Sequence, residues 1–167
     1  TIWQLCADFT APGYHATVVF ISNRQASVAL FNQLAGSGPN AAVVWDYHVI
    51  LCVWDESRWQ VIDPDCRLGP ALDAHAYIKA SFNSAIAAGL QPEFRLLPAR
   101  EYCETLRTDR RHMRDARGGW LSPPPSWPCI GEGSNLVEFV DFNRRERGEL
   151  LDLAGFEARF GSGKSSP

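Results

Sequence analysis

The chain has no long apolar run, no signal-peptide pattern and little net charge, and each absence excludes a class of protein. A helix that crosses a bilayer needs about 20 consecutive apolar residues, and no stretch of this sequence approaches that length. The start of the chain lacks the charged and apolar regions of a secretory signal. A net charge of −3 argues against nucleic acid or an anionic membrane as the main partner. These features predict a soluble intracellular protein.

Cysteine and histidine are few and follow no regular pattern. The five cysteines, at positions 6, 52, 66, 103 and 129, include no C-x-x-C pair, and the four histidines do not stand beside them at the spacing of metal ligands. An odd number of widely separated cysteines also argues against a disulfide framework. The sequence therefore predicts no metal site, and it predicts reduced thiols in the cytoplasm or the nucleus.

The composition indicates one folded domain. Hydrophobic residues make up 46% of the 167 positions, with six Trp and nine Phe, and this length suits one well-buried core. We expect that domain over residues 1–160 and a flexible tail over 161–167. Apolar residues at helical spacing predict a first helix over 1–9, with Cys6 on its buried face. No N-cap residue precedes this pattern, so we expect further residues of the same helix ahead of Thr1.

Periodicity and turn residues predict the other elements. They are a hairpin of strands at 16–21 and 27–31, a loop at 36–40, a helix over 74–88 ended by Gly89, a strand at 94–97, a short helix at 100–106, an irregular region at 107–134, and a helix that Asp152 caps and that runs through Phe160. Between the loop and the long helix lies one apolar run that carries titratable residues.

That run, residues 43–51, reads VVWDYHVIL and holds one carboxylate and one imidazole. Alternation along a strand puts Asp46 and His48 on one face and Trp45 and Tyr47 on the other. We therefore expect Trp45 and Tyr47 in the core. A buried charge and a buried ring nitrogen also need partners, which the sequence should supply nearby.

The partners follow a turn. A hairpin closed at residues 56–57 places Asp65 opposite His48 and Asp63 diagonal to it, with both carboxylates on the face of His48. A histidine oriented by an acid is the second half of a nucleophile–base–acid triad. The same pair is equally typical of a buried histidine satisfied by a structural aspartate, and the residue pattern leaves both interpretations open.

Several separated motifs resemble landmarks of the protein N-terminal glutamine amidohydrolases, in the order of that family. They are FISN at 20–23, WDYHV at 45–49, DPD at 63–65, FR at 94–95, DRRHM at 109–113, PPPSWPCI at 123–130 and RFGS at 159–162. Because these motifs spread over most of the chain, the sequence is identified as a member of this family.

The resemblance implies the α+β fold of papain-like and transglutaminase-like thiol hydrolases, in which a central antiparallel sheet packs with helices. It implies a Cys-His-Asp triad with His48 as the histidine and Asp63, rather than Asp65, as the acid. The implied reaction converts an N-terminal glutamine side chain to glutamate, releases ammonia and feeds the arginine branch of N-end-rule (N-degron) degradation. The implied partners are proteins or peptides with a free N-terminal glutamine, and no cofactor is required. We also expect a monomer.

The triad cysteine is the part of the family pattern that these residues do not supply. The resemblance places it ahead of Thr1, whereas Cys6 matches a second family cysteine that is not the nucleophile. If the 167 residues were the whole protein, we would expect the fold and part of the pocket without the chemistry. Two alternatives stay open: a catalytically silent module that binds N-terminal residues, and another papain-like thiol hydrolase that uses Cys6.

Recognition of a free α-amine requires an anion, since a glutamine inside a chain must be refused. Asp46, two residues from His48 on the same predicted face, is the first candidate for binding the amine. Asp65 is the second candidate. The alternative for Asp46 is a pairing with a donor in the core.

Overall fold

A six-stranded antiparallel sheet with helices on both faces makes this an α+β domain. The computed structural model describes residues 2–11, 15–121, 123–124 and 126–161, so all of the expected tail except Gly161 lies outside the described residues. No helix in these ranges is long and apolar enough to cross a membrane. The elements are α1 Ile2–Ala7, β1 Ala16–Ser22, β2 Val28–Leu30, β3 Val43–Trp45, β4 His48–Trp54, β5 Trp59–Ile62, β6 Ala71–Asp73, α2 Ala74–Ser81, β7 Glu93–Pro98, α3 Ala99–Thr105, α4 Val137–Val140, β8 Glu149–Asp152 and α5 Leu153–Phe156, which a π-helical turn extends over Glu157–Gly161.

The strand order in the sheet is β6-β5-β4-β1-β7-β8, so β1 lies between β4 and β7. The predicted hairpin of β1 with β2 is therefore wrong, because both edges of β1 are already paired. The side chain of Asn23 turns the chain away from the sheet. Its Oδ1 atom accepts hydrogen bonds from the backbone N–H groups of Gln25 at 2.9 Å and Ser27 at 3.1 Å. β2 pairs with β3 in a separate two-stranded sheet.

The predicted strand over 43–51 is two strands, which separate at Asp46 and Tyr47. The Oδ1 atom of Asp46 accepts a hydrogen bond from the N–H of Tyr47 at 2.8 Å. A backbone N–H that bonds to a neighbouring side chain cannot form a hydrogen bond between strands. The alternation of side chains between the two faces therefore does not continue across the break. The single-strand prediction is wrong for this reason. Trp45 and Tyr47, which we expected in the core, are only partly buried and line an open cavity together with Asp46 and His48.

The hairpin of β4 and β5 has the register that the sequence predicts. Leu51 lies opposite Ile62, as the expected turn requires. Within that turn Glu56 takes a left-handed conformation with φ 71°, and the carboxylate of Asp55 accepts hydrogen bonds from backbone N–H groups. Turn geometry fixes which residues of two strands face each other. It therefore brings Asp63, the residue after β5, toward the start of β4.

Successive residues of β1 face opposite sides of the sheet, and both sides are buried. Val19 and Ile21 belong to an apolar cluster that also contains residues of α2 and α5. Val18 and Phe20 belong to a second cluster with residues of α1, α3 and α4. A strand covered on both faces is apolar throughout, which explains the unbroken apolar run in β1. α1 packs against β1 and β4, so the first helix lies beside the strand that carries His48.

α2 is shorter than the predicted helix over 74–88. Asp73 caps its start by accepting a hydrogen bond from the N–H of Ala76 at 3.2 Å, and the helix ends where Phe82 takes an extended conformation. That conformation lets the ring of Phe82 pack edge-on against Phe94, with 5.4 Å between the centroids. Burial of the aromatic ring outweighs the helix propensity of the alanines that follow. The predicted continuation of the helix is therefore wrong.

β8, like β6, is a strand that the sequence pattern did not predict. Arg95 in β7 is fully buried and donates hydrogen bonds to the backbone carbonyls of Asp141 at 2.8 Å and Arg144 at 3.0 Å. These bonds fix the loop that leads into β8, and they join residues far apart in the chain. The cap that follows β8 was predicted from local sequence and is confirmed: Asp152 accepts a hydrogen bond from the N–H of Gly155 at 2.8 Å.

Candidate active site

A cavity of about 820 Å³ opens at the end of the sheet where β4 begins. Its wall includes Ile2 and Trp3 from the first turn of α1 and His48 from the first position of β4. The loops that follow β3 and β5 add Asp46 and Asp65. One helix, one strand and two loops thus line the same space, and its volume lies within the range of small-ligand sites.

His48 is held by Asp63. The Nε2 atom of His48 lies 3.0 Å from Oδ1 of Asp63, and both residues are buried, at 5% and 1% exposure. The ring of Trp45 stacks on the imidazole, with 5.6 Å between centroids and 27° between planes. One ring nitrogen is thereby engaged and the ring plane is fixed. Nδ1 of His48, for which the described residues provide no partner, is the nitrogen left for a reacting group in the cavity.

The carboxylate of Asp63 is held by donors on both oxygens. Oδ1 accepts from His48 and from the backbone N–H of Asp65 at 3.0 Å. Oδ2 accepts from the hydroxyl of Tyr77 at 2.9 Å and from Nε2 of Gln33 at 3.2 Å. Burial alone would raise the pKa of Asp63, but the hydrogen bond and charge of His48, with the bonds from Gln33 and Tyr77, lower the pKa below its ordinary value. The acid therefore stays ionised and orients the imidazole.

Gln33 and Tyr77 are the residues of this arrangement that sequence reasoning did not find. Tyr77 fell only within the helix predicted over 74–88, and Gln33 lies in a loop without a motif. Both are fully buried. A buried carboxylate needs several hydrogen-bond donors. The sequence feature that could have indicated such a donor is a polar group on an otherwise apolar helix face, such as the hydroxyl of Tyr77.

The two candidate amine-binding carboxylates both line the cavity, and both are exposed. Asp65 is the nearer to the buried pair, because ligand atoms of His48, Asp63 and Asp65 all lie within 4.8 Å of one another. Asp46 stands at the border of the cavity, where its carbonyl also accepts a hydrogen bond from Ser22 Oγ at 2.5 Å. A metal ion would fit the spacing of the three ligand atoms, but the bonds already made to Asp63 suit an oriented histidine better.

A model of the N-terminal glutamine amidase family matches residues 1–160. The chain belongs to this family. Proteins named protein N-terminal glutamine amidohydrolase from Drosophila pseudoobscura pseudoobscura, Drosophila ananassae and Drosophila virilis are each 38% identical to it over 150 residues, which cover 84% of this chain and 72% of theirs.

The cysteines of this N-terminal glutamine amidase chain lie away from the cavity wall. Cys6 is fully buried in the cluster under α1 and α3, as predicted for a packed core thiol, and burial together with Cys103 raises its pKa. Burial likewise raises the pKa of Cys52 and Cys66. Thiols of this kind are poor nucleophiles, because the thiolate is the reactive form. Among the described residues, no cysteine lines the cavity of His48.

The irregular region of this family member covers one side of the cavity. Arg110, in a left-handed conformation with φ 62°, donates hydrogen bonds to the carbonyls of Trp127 and Pro128, the latter at 2.9 Å. Backbone hydrogen bonds at 2.8 and 3.1 Å join Thr108 and Ile130. Arg110, Trp127 and Ile130 all line the cavity. Residues 127–130 are thus tied to residues 108–110, and both segments shape the site.

Proposed function

We propose that the protein hydrolyses the side-chain amide of an N-terminal glutamine, giving glutamate and ammonia. The observation that carries the proposal is the buried pair of His48 and Asp63 at a cavity wall, in a chain that belongs to the N-terminal glutamine amidase family. Deamidation needs a base that also protonates the leaving nitrogen, and an oriented imidazole performs both tasks.

The proposed fold relationship is to papain-like and transglutaminase-like thiol hydrolases. Such enzymes combine a helix that carries the nucleophile with a strand that carries the histidine. The contact of α1 with β4, and the presence of Ile2 beside His48 in one cavity, support this relationship. We accordingly propose that the nucleophile is a cysteine ahead of Thr1, where the family resemblance puts it, and not Cys6.

The proposed mechanism has two stages. The thiolate attacks the carboxamide carbon, a C–S bond forms, and the C–N bond breaks as His48 gives its proton to the leaving ammonia. Water then attacks the thioester, His48 takes a proton from that water, and the C–S bond breaks to give glutamate and the thiolate. Asp63 keeps Nε2 of His48 protonated, so that Nδ1 exchanges the proton in both stages.

Selection of a chain terminus is proposed to rest on Asp46, with Asp65 as the second carboxylate. An ammonium group is attracted by a carboxylate that lies close to the bound side chain. Both residues line the cavity of His48, which supports the assignment.

We further propose that the protein is a monomer that acts on N-degron substrates in the cytoplasm and nucleus. Analytical sedimentation would test the monomer, and imaging of a tagged protein would test the localisation.

The test is ammonia release from a peptide that begins with glutamine. The full-length protein, with any residues that precede Thr1 in its gene, should release ammonia far faster from the free peptide than from its acetylated form. The His48→Ala variant should release none. Binding of the free peptide without turnover would replace the proposal with a silent binding module. Turnover by residues 1–167 alone, abolished by Cys6→Ser, would assign the chemistry to Cys6.

A further inference from the structure

The side chain of Asp46 lines the cavity of His48 and is anchored there. Its Oδ1 atom accepts a hydrogen bond from the N–H of Tyr47 at 2.8 Å, and its backbone carbonyl accepts one from Ser22 Oγ at 2.5 Å. Among the residues that the structure describes, no lysine, arginine or histidine forms an ion pair with this carboxylate. Asp46 therefore offers an anchored negative charge to a cation that enters the cavity.

Asp46 and Asp65 differ in their position relative to the reacting end of the site. Ligand atoms of His48, Asp63 and Asp65 lie within 4.8 Å of one another, and within the described part of the chain Asp46 joins no such cluster. His48 must come within hydrogen-bond reach of the nitrogen that leaves the side-chain carbon. A cation on Asp65 therefore lies beside the reacting carbon, whereas Asp46 can hold a cation away from it.

The proposed thioester has two possible fates when the α-amine of the substrate is free. Water can attack the thioester carbon and give glutamate. The neutral α-amine of the same residue can also attack that carbon. A C–N bond then forms, the C–S bond breaks, one proton passes from the nitrogen to the departing sulfur, and the product is the five-membered lactam pyroglutamate. Groups held in one molecule in a suitable geometry react at effective concentrations of about 10⁵–10⁸ M, so cyclisation outruns hydrolysis unless the site prevents it.

Protonation of the amine prevents this attack. A free α-amine has a pKa of about 7.7–8.0, so that about a tenth or more of it is neutral between pH 7 and pH 8. A carboxylate in contact with the amine raises that pKa and keeps the nitrogen as an ammonium group, which has no lone pair for the attack. Burial and the charge of Asp46 also raise the pKa of Tyr47 to about 12, so this neighbour supplies no base to remove the proton.

We propose that Asp46 decides the product of the reaction: it binds the α-amine as an ammonium group away from the thioester, so that glutamate forms and pyroglutamate does not. This inference rests on the proposed function and goes beyond recognition of the amine, because a carboxylate that only attracted the amine could stand anywhere in the cavity. The anchored position of Asp46, outside the cluster of His48, Asp63 and Asp65, is what the proposal requires. Removal of its charge should change which product forms, and not only how fast.

The experiment identifies the products that the full-length protein makes from a Gln-starting peptide, by liquid chromatography and mass spectrometry. The glutamate and pyroglutamate products differ by one water. At pH 8 the native protein should give glutamate. Pyroglutamate should make up about half or more of the product of Asp46→Asn, because about half of an unbound α-amine is neutral at that pH. Spontaneous cyclisation of the peptide, measured with the His48→Ala variant, is subtracted.

The ratio of the two products separates this role from a merely structural one, because a variant that folds badly makes less of both. Asp8→Asn removes an exposed carboxylate outside the cavity and is the matched control, which should give glutamate alone. Asp46→Ser removes the same charge as Asp46→Asn with a smaller side chain and should also give pyroglutamate.

Glutamate as the sole product of the Asp46 variants would overturn the inference and leave the proposed function standing. Loss of all turnover in both Asp46 variants would overturn it as well, because the charge would then serve the reaction itself. Pyroglutamate from Asp65→Asn and not from Asp46→Asn would transfer the role to Asp65. Absence of ammonia release from the native protein would instead overturn the proposed function, and this inference with it.

Discussion

The hydroxyl of Tyr77 in α2 donates a hydrogen bond to Oδ2 of Asp63 at 2.9 Å, while Oδ1 of the same carboxylate lies 3.0 Å from Nε2 of His48. A residue of α2 thus holds the carboxylate of Asp63, and that carboxylate orients the histidine that lines the cavity. Gln33 supports the same oxygen at 3.2 Å. The acid is positioned by residues that the substrate does not touch, which is typical of a preorganised site.

Removal of the Tyr77 hydroxyl should weaken catalysis through Asp63. We expect Tyr77→Phe to lower kcat about tenfold with little change in KM, and to lower the free energy of unfolding by about 1 kcal/mol for one lost hydrogen bond. Steady-state kinetics and urea unfolding measure both quantities. The double variant with Asp63→Asn should lose no more activity than Asp63→Asn alone, because both act through one carboxylate. Additive losses would contradict the positioning role.

Replacement of Asp63 itself should have a larger effect. Asp63→Asn keeps the shape but leaves His48 in the wrong tautomer, so we expect kcat to fall by about 10³–10⁴-fold while the far-ultraviolet circular dichroism spectrum is retained. Asp8→Asn is the matched control, since Asp8 is exposed and does not line the cavity of His48. Near-normal turnover by Asp63→Asn would remove Asp63 from the triad.

The ionised carboxyl of Asp63 makes stability depend on pH in a defined direction. Although burial raises its pKa, His48 and the other donors lower it below the ordinary 3.8. A carboxyl with a lowered folded pKa stabilises the fold above its unfolded pKa, and this stabilisation is lost as pH falls through the folded value. We therefore expect the free energy of unfolding to fall more steeply below about pH 4 in the native chain than in Asp63→Asn.

Urea unfolding across that pH range measures this difference. Asp8→Asn removes an exposed carboxylate and is the control for a general change of net charge. The slope of the Asp8→Asn curve should match that of the native chain. Parallel curves for the native chain and Asp63→Asn would show that the carboxylate of Asp63 is not preferentially stabilised in the folded state.

Asp46 should control discrimination between free and blocked N-termini. We expect Asp46→Asn to raise KM for a free Gln-starting peptide about tenfold and to leave the low activity on the acetylated peptide unchanged, because only the free peptide carries the ammonium group. The ratio of kcat/KM for the two peptides is the measurement. If that ratio is unchanged in Asp46→Asn but collapses in Asp65→Asn, the recognition role belongs to Asp65.

The thiols should differ in reactivity according to burial. Cys129 is exposed, whereas Cys6 and Cys52 are fully buried and their burial raises the pKa of both thiols. We expect iodoacetamide to label Cys129 first, and to label Cys6 and Cys52 only under unfolding conditions, as mass spectrometry of peptides can follow. Rapid labelling of native Cys6 that depends on His48 would support Cys6 as the nucleophile.

Local pattern predicted the elements whose boundaries depend on neighbouring residues. The strand at 94–97 and the helix at 100–106 correspond to β7 and α3, and the cap at Asp152 is present. The prediction failed where contacts between residues far apart in the sequence decide where an element ends or which strands pair. α2 ends before the predicted residue because Phe82 packs on Phe94. β2 does not pair with β1 because β4 and β7 already occupy both edges of β1.

The sequence by itself determined the register of β4 and β5, because alternation and a turn are local properties. That register brings Asp63 to His48. Only the tertiary structure decided what surrounds the pair. The strand breaks at Asp46, and Trp45 stacks on the imidazole of His48. The packing of α2 brings the hydroxyl of Tyr77 to the carboxylate of Asp63. These contacts join separate elements, so their geometry depends on how the layers pack and is not contained in any short stretch of sequence.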